Sequence, residues 1–233
     1  MDKKVVATIT VLNEQEIIGD ILSRMPDWVD VIIVDDGSTD DTAKIARAHR
    51  AVVIKHPINL GQSMAFVTAL RVALMHDYEI IIEMDGDGQH DPRDIPRFVD
   101  QMLETDCDIV VGSRRLGSSY KEEPFPRRVF LPPLTGLLNW VTGYELTDSM
   151  CGYRAFKADS LRKHTRLLQD IERQYAAAEL FIRFSKVGFT VTEIPIHLKK
   201  RQHGASYKGL VRYGWGVARS IVRGIRWRNI VMK

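Results

Sequence analysis

The stretch EIIIEMDGDGQHDP, residues 79–92, decides how this chain is read. Its apolar run, Ile80–Met84, has the length of a buried strand, and Asp85, Asp87 and Gln89 follow at alternate positions. In an extended backbone alternate side chains point the same way. Three oxygen ligands are therefore expected to converge at the strand's C-terminal edge, where open α/β sheets bind ligands. Hard oxygen donors suit Mg²⁺ or Mn²⁺, which then bridges to a diphosphate. An EF-hand loop starting at Asp85 would need Gly and Glu where His90 and Pro96 stand. The plain alternative is a tight Asp-Gly turn.

Similar short β-branched runs flank this one: Val5–Val11, Val31–Asp35, Val52–Lys55 and Ile109–Val111. Helix-like segments fall between them at Glu14–Met25, Asp41–His49, Gln62–His76 and Pro92–Glu104. The strands are apolar on both faces, as in a parallel sheet covered by helices. Strand–helix alternation of this kind predicts a doubly wound α/β fold. Thr39 or Asp40 can cap the second helix, and Asp91-Pro92 the fourth. Beyond Val111 the rhythm changes. Gly112–Pro126 reads as a loop, and Arg127–Val141 as a helix interrupted by Pro132-Pro133. A strand at Tyr153–Phe156, a helix around Gln174–Val187 and a strand at Thr190–Leu198 follow.

Two further strand ends carry polar residues to the same edge. VIIVDDGSTDDT, residues 31–42, puts Asp36 in the crevice, where a carboxylate can accept from a ribose hydroxyl or a base N–H. TVLNE, residues 10–14, brings Asn13 and Glu14, which can equally cap the next helix. Neither GxGxxG nor GxxxxGK[ST] occurs, which argues against a dinucleotide oxidoreductase or a P-loop NTPase.

Composition sets the remaining bounds. With 45% apolar and 27% charged residues among 233, the chain is globular and large enough for a core without disulfides. Cys107 and Cys151 match no zinc or disulfide spacing and suit a reducing, cytoplasmic compartment. No secretory signal is legible, and the longest charge-free run, Val129–Tyr144, contains two prolines and two glycines. The net charge of +3 is unevenly spread: Ile194–Lys233 has ten Lys/Arg and no acid, so the remainder is acidic. Such a tail points to a phosphate-bearing partner. Val211, Trp215, Ala218, Val222 and Ile225 share one helical face, with Arg212, Arg219, Arg223 and Arg226 on an adjacent one. The pattern suits a basic helix lying on an anionic membrane, or a terminal helix docked on the body. The expected division is therefore a domain at 1–209 and a membrane-surface helix at 210–233.

Taken in order, NE after the first strand, VDDGSTDDT, DGDGQHDP, GSRR and DSMCGYRAF resemble the family 2 inverting glycosyltransferases of the GT-A fold. The resemblance is nearest to the polyprenyl-phosphate branch, which includes the dolichol-phosphate mannose and glucose synthases. It covers residues 4 to about 208. It implies a mostly parallel Rossmann-like sheet and metal-dependent, inverting transfer from a UDP- or GDP-sugar to a polyprenyl phosphate. Thr10, Glu14 and Asp36, with Asn13 beside them, would hold the nucleoside. Asp85, Asp87 and Gln89 would hold Mg²⁺ or Mn²⁺ and the diphosphate. Arg114, Arg127 and Arg128 would meet phosphates near the acceptor. Asp148, Gly152 and Arg154 would shape the sugar and acceptor side. Arg201, Ser206 and Lys208 match the loop that closes over the donor. The family's Pro and Tyr are missing from Thr10-Val11-Leu12-Asn13-Glu14, which leaves UDP and GDP both open; the Cys-Gly pattern in DSMCGYR leans to UDP.

A phosphate acceptor is already anionic near neutral pH and needs no general base. Catalysis then requires charge neutralisation, for which arginine's planar fork is suited. A hydroxyl acceptor would instead need a base, and Asp148 is the candidate. A nucleic-acid partner for the basic tail conflicts with the acidic crevice and lacks any motif. The expected setting is peripheral to a membrane, with or without a separate membrane subunit.

Overall fold

The computed structural model describes residues 4–117, 125–199 and 210–228, with the side chains of 125–127 and 210–213 excepted. A seven-stranded sheet forms its centre: β1 (Val5–Val11), β2 (Val29–Asp35), β3 (Val52–Lys55), β4 (Ile80–Asp85), β5 (Ile109–Ser113), β6 (Arg154–Lys157) and β7 (Val191–Pro195). The spatial order is β3-β2-β1-β4-β6-β5-β7. All neighbours are parallel except β6, which runs antiparallel between β4 and β5. Consecutive residues of β1, β4 and β5 are buried, so both faces of the central sheet are covered. The edge strand β3 departs from that expectation: Val52 is exposed and Val53 and Ile54 are half-buried.

The helices are α1 (Ile18–Ser23), α2 (Thr42–Ala48), α3 (Gln62–Leu74), α4 (Ile95–Thr105), α5 (Phe125–Thr142), α6 (Ala158–Lys163), α7 (Ala176–Lys186) and α8 (Leu210–Arg226). α3 packs on β1, β2 and β4, while α4 packs on β5, β6 and β7. Asp41 stands at the N-cap of α2 with no side-chain cap bond, and Asp40, one residue earlier, accepts from the Thr42 N–H at 3.0 Å. Asp91 accepts from the Arg93 N–H and opens a 3-10 turn, Pro92–Asp94, that leads into α4.

Three local expectations are corrected. α1 begins at Ile18, not Glu14, because the chain first turns through bonds from the Ile17 and Ile18 N–H groups to the Glu14 carbonyl. α5 runs through Pro132 and Pro133 unbroken. The two carbonyls that lose their donors belong to Arg128 and Val129, both exposed, so water can serve them. The chain is also not extended after Asp85. It turns at Gly86-Asp87, and Gly88 adopts φ +78°. A Cβ on Gly86 would lie 2.4 Å from Val11 Cγ1, so the turn folds back tightly onto β1.

Candidate active site

Strand register brings the motifs into one line. Thr10 lies opposite both Val34 and Asp85, and Val11 lies opposite Asp35. The ends of β1, β2 and β4 therefore lie level at one sheet edge, the edge at which open α/β sheets bind ligands.

Each side chain has a distinct place in it. Asp36 is buried, and both oxygens accept from the chain itself: Oδ1 from Leu60 N–H at 2.9 Å, Oδ2 from Gly61 N–H at 2.9 Å. His56 Nδ1 lies 2.7 Å from Oδ1, and its Nε2 lies 3.1 Å from Thr68 Oγ1. The carboxylate expected at the nucleoside thus also anchors the 56–61 loop. Asn13, at φ +54°, accepts from Thr39 N–H at 2.9 Å, and its own N–H donates to Ser38 Oγ at 2.9 Å. It ties the first two loops together and does not cap α1. The Glu14 N–H donates to Thr42 Oγ1 at 2.9 Å, which seats this buried residue against the start of α2.

Asp85 ends β4. Its N–H donates to His90 Nδ1 at 3.0 Å, and its Oδ1 accepts from Gln62 Nε2 at 2.8 Å. The His90 ring is buried and stacks on Tyr153 with centroids 4.8 Å apart. Burial holds this imidazole below its ordinary range, although Asp85 and Asp87 pull the other way. An unprotonated Nδ1 is what the Asp85 N–H needs. Asp87 Oδ1 accepts from Gln89 N–H at 3.1 Å within the turn. The Gln89 amide reaches the Lys199 carbonyl at 3.3 Å, and Lys199 N–H returns to the Gln89 carbonyl at 3.0 Å. Gln89 therefore joins this turn to the segment after β7, rather than extending an alternating row from Asp85.

Among the described residues no group of three His, Cys, Asp or Glu side chains forms a ready metal cage. The donor set does fit a cation carried with a diphosphate. Mg²⁺-type sites use one or two carboxylates and take their remaining ligands from phosphate and water. The Asp85 Oδ2 oxygen faces Gly152, where a Cβ would stand 3.0 Å away. A bare Cα there keeps that oxygen approachable.

Arg114 and Asp148 meet across 34 residues. Arg114 Nε and Nη2 donate to Asp148 Oδ2 and Oδ1 at 2.5 and 2.7 Å, and the Arg114 N–H adds a bond at 3.1 Å. Both residues are buried. Glu193 of β7 accepts from the N–H groups of Thr147 and Asp148, at 2.8 and 2.9 Å, and so fixes the loop that carries Asp148. Asp148 is thus an ionic partner with both oxygens engaged, a poor arrangement for a general base. Arg154 faces Glu83 across the β4–β6 pairing, with Nη1 3.4 Å from Oε2, and its guanidinium lies 5.0 Å over the Phe181 ring. Burial pushes Glu83 up to about 8 despite Arg154, and Asp85 adds to the rise. Arg128 is exposed in the first turn of α5. The Arg127 side chain, and Arg201, Ser206 and Lys208 entirely, lie outside the described residues.

Sequence reasoning missed Gln62, His90 and Glu193. Gln62 had a faint signal, standing directly after a glycine at a helix start; Glu193 had none.

Two helices show exposed apolar stripes. On α5 these are Val129, Phe130, Leu137 and Trp140; on α8 they are Trp215, Val222 and Ile225. α8 docks through its other side, where Val217, Ser220 and Ile221 are buried and Gly216 abuts the Tyr175 ring. The docked reading of this helix therefore holds for one face, and the other face is left exposed. Its arginines are partly redirected, however. Arg219 Nη2 lies 2.6 Å from Glu172 Oε1, and Arg223 lies 3.2 Å from Glu179 and 3.3 Å from Asp170. Of the other two arginines expected on that face, the Arg212 side chain lies outside the described residues and Arg226 has no carboxylate partner among them. Among those residues no helix is long and apolar enough to cross a membrane.

The model of the family described as "Glycosyl transferase family 2" matches residues 7–165, more than half of the chain. The chain belongs to glycosyl transferase family 2. It is a glycosyltransferase of GT-A fold. An undecaprenyl-phosphate mannosyltransferase of Micrococcus luteus is 29% identical, over 96% of this chain and 93% of that protein. A UDP-N-acetylglucosamine–dolichyl-phosphate N-acetylglucosaminyltransferase of Methanococcus voltae is also 29% identical, over 84% and 85%. These relatives are of the polyprenyl-phosphate branch that the motifs resemble. Among solved structures, glucosyl-3-phosphoglycerate synthase of Mycobacterium tuberculosis, in complex with Mn²⁺, UDP-glucose and phosphoglyceric acid, matches with a TM-score of 0.69. It is 20% identical, over 97% of this chain and 81% of that one, and shows the shared fold.

Proposed function

We propose that this family 2 glycosyltransferase moves a hexose or N-acetylhexosamine from a UDP- or GDP-sugar onto a polyprenyl phosphate at a membrane surface, with inversion. The observation that carries this reading is the link between α5 and the crevice. Thr135 of α5 and Ser149 of DSMCGYR share a hydrogen bond at 3.0 Å, and three residues later Gly152 abuts Asp85. A helix that is uncharged beyond Arg128 and carries an exposed apolar stripe is thus tied to the motif beside the expected cation site. That is the juxtaposition a lipid-linked phosphate needs. The relatives named for polyprenyl-phosphate transfer support the same acceptor class.

In this reading Asp85 and Asp87 hold Mg²⁺ or Mn²⁺, which when bound neutralises the leaving diphosphate. Asp36, Thr10, Asn13 and Glu14 line the nucleoside end. Arg127 and Arg128 meet the incoming phosphate, and Arg114, bound to Asp148, sets the floor between the two ends. Arg201, Ser206 and Lys208 close over the donor. The engaged Asp148 favours a phosphate acceptor, which needs no base, over a hydroxyl acceptor. With α8 docked on the body, residues 210–233 serve as a membrane-surface appendage of the 1–209 domain. The apolar stripes of α5 and α8 would then rest peripherally on the cytoplasmic face, with or without a membrane subunit. The pairing of Arg219 and Arg223 with acidic residues takes two arginines of this helix away from a nucleic-acid partner.

A thermal-shift panel of UDP- and GDP-sugars, each with and without Mn²⁺, tests the donor side. A cognate donor at a hundredfold excess over its Kd should stabilise by about 2.7 kcal/mol, and only with the cation. No shift with any nucleotide sugar would refute a donor site here.

A further inference from the structure

Gln62 is exposed at the first position of α3, yet its surroundings hold it firmly. On one side, Gly61 N–H donates to Asp36 Oδ2 at 2.9 Å, and Gly61 adopts φ +103°. A Cβ on Gly61 would come 2.6 Å from the Arg173 carbonyl oxygen, so only glycine lets these two segments close together. On the other side, Ser63 N–H donates to that same Arg173 carbonyl at 3.1 Å, and Ala176 N–H donates to Ser63 Oγ at 3.1 Å. The 172–176 segment is itself fixed, because Glu172 accepts from the N–H groups of Gln174 and Tyr175 at 2.7 and 2.6 Å. Both neighbours of Gln62 are therefore clamped. The Gln62 amide reaches out from this fixed point and donates to Asp85 Oδ1 at 2.8 Å.

We propose that Gln62 is a positioning residue for Asp85, holding one carboxylate oxygen so that the other, on the Gly152 side, is presented to the divalent cation of the donor complex. The proposal rests on the metal-dependent donor reading above. A carboxylate on a free rotor must be ordered when a cation binds; one already tethered at Oδ1 has lost that freedom beforehand. The two oxygens are unequal in the structure. Oδ1 is tethered by a neutral N–H, which adds no charge to oppose a cation. Oδ2 faces the bare Cα of Gly152. Methionine at 62 would keep the length of the side chain and lose the donor. Asparagine would keep the donor and lose the reach. Because the side chain is exposed, neither change should disturb the fold.

The test uses the full chain and the electron paramagnetic resonance signal of unbound Mn²⁺, titrated with UDP and with GDP present. Gln62→Met and Gln62→Asn should each weaken Mn²⁺ binding about tenfold, the scale of one hydrogen bond to a charged group. The thermal midpoint without metal should not move. Turnover of the variants should return toward wild type as Mn²⁺ is raised about tenfold, which a merely structural role would not produce. If the wild-type chain binds Mn²⁺ with neither nucleotide, the donor reading fails and this proposal fails with it. If wild type binds and both variants bind within twofold of it, the positioning role alone is overturned. A loss that excess Mn²⁺ does not restore overturns it as well.

Discussion

Replacing Trp140 and Trp215 by serine tests the proposed membrane contact directly. Trp140 is 83% exposed on α5 and Trp215 is 73% exposed on α8. A tryptophan presents about 150–250 Å² of surface when fully exposed, so each offers roughly 150 Å² to solvent. Half of that, about 75 Å², would leave water if the ring settled into the interfacial region. At about 25 cal/mol per Å² each ring then contributes about 2 kcal/mol, and the pair about 4 kcal/mol. The double variant should therefore bind vesicles containing anionic lipid two to three decades more weakly. Co-sedimentation measures the affinity, and a blue shift of tryptophan emission on adding vesicles reports ring burial in the wild type. Neither ring is buried in the protein, so the urea midpoint should stay within the narrow range of surface substitutions. Transfer to a short, soluble polyprenyl phosphate should also persist. Unchanged vesicle binding in the double variant, or no emission shift in the wild type, would refute the argument.

Other substitutions probe the interior. Arg114→Ala strands the buried Asp148 carboxylate and should cost about 3–5 kcal/mol in urea unfolding; Arg114→Met with Asp148→Leu should cost clearly less than the sum of the two single changes. Glu172 is pushed upward by burial, but the N–H groups of Gln174 and Tyr175 and the Arg219 guanidinium outweigh it and hold the carboxyl below its ordinary value. Its contribution is therefore present above the unfolded carboxyl range and lost as pH falls through the folded value, so Glu172→Gln should flatten part of the acid loss of stability. Burial pushes the Cys151 thiol up to about 12 and raises Cys107. Neither should react with a thiol reagent at pH 8 until the chain unfolds; rapid labelling of the native protein would contradict the packing around them.

The parts of this molecule legible in sequence are those whose signal is local. Val5–Val11, Val52–Lys55 and Ile80–Met84 announce strands because their apolar side chains fill both sheet faces or finish an edge. The capping role of Asp91 is legible for the same reason, and so is the bond of Asp40 to the first N–H of α2, although Asp41 takes the N-cap. The turn after Asp85 differs from the extended row that the alternation predicts, although Gly86 and Gly88 carry its signal. Alternation of polar residues predicts extension, whereas glycine at both intervening positions lets the chain fold back. Propensity predicts a break at Pro132-Pro133; the helix continues, and the exposure of Arg128 and Val129 leaves their orphaned carbonyls to water. Long-range pairings had no sequence signal. Nothing in GSRR announces that Arg114 takes Asp148 as its partner, or in the C-terminal helix that Arg219 and Arg223 turn to Glu172 and Glu179. The placement of β6 between β4 and β5 is equally silent, because a four-residue strand takes its position from its neighbours.

The central claim is sugar transfer to a lipid-linked phosphate with help from a cation at Asp85 and Asp87. The most direct measurement supplies a radiolabelled cognate nucleotide sugar, Mn²⁺ and either a polyprenyl phosphate or the corresponding polyprenol. The account predicts a labelled lipid from the phosphate and none from the alcohol. It also predicts that excess EDTA or Asp87→Ala abolishes the product. Labelling of the alcohol in preference to the phosphate, or transfer that persists in EDTA, would contradict it.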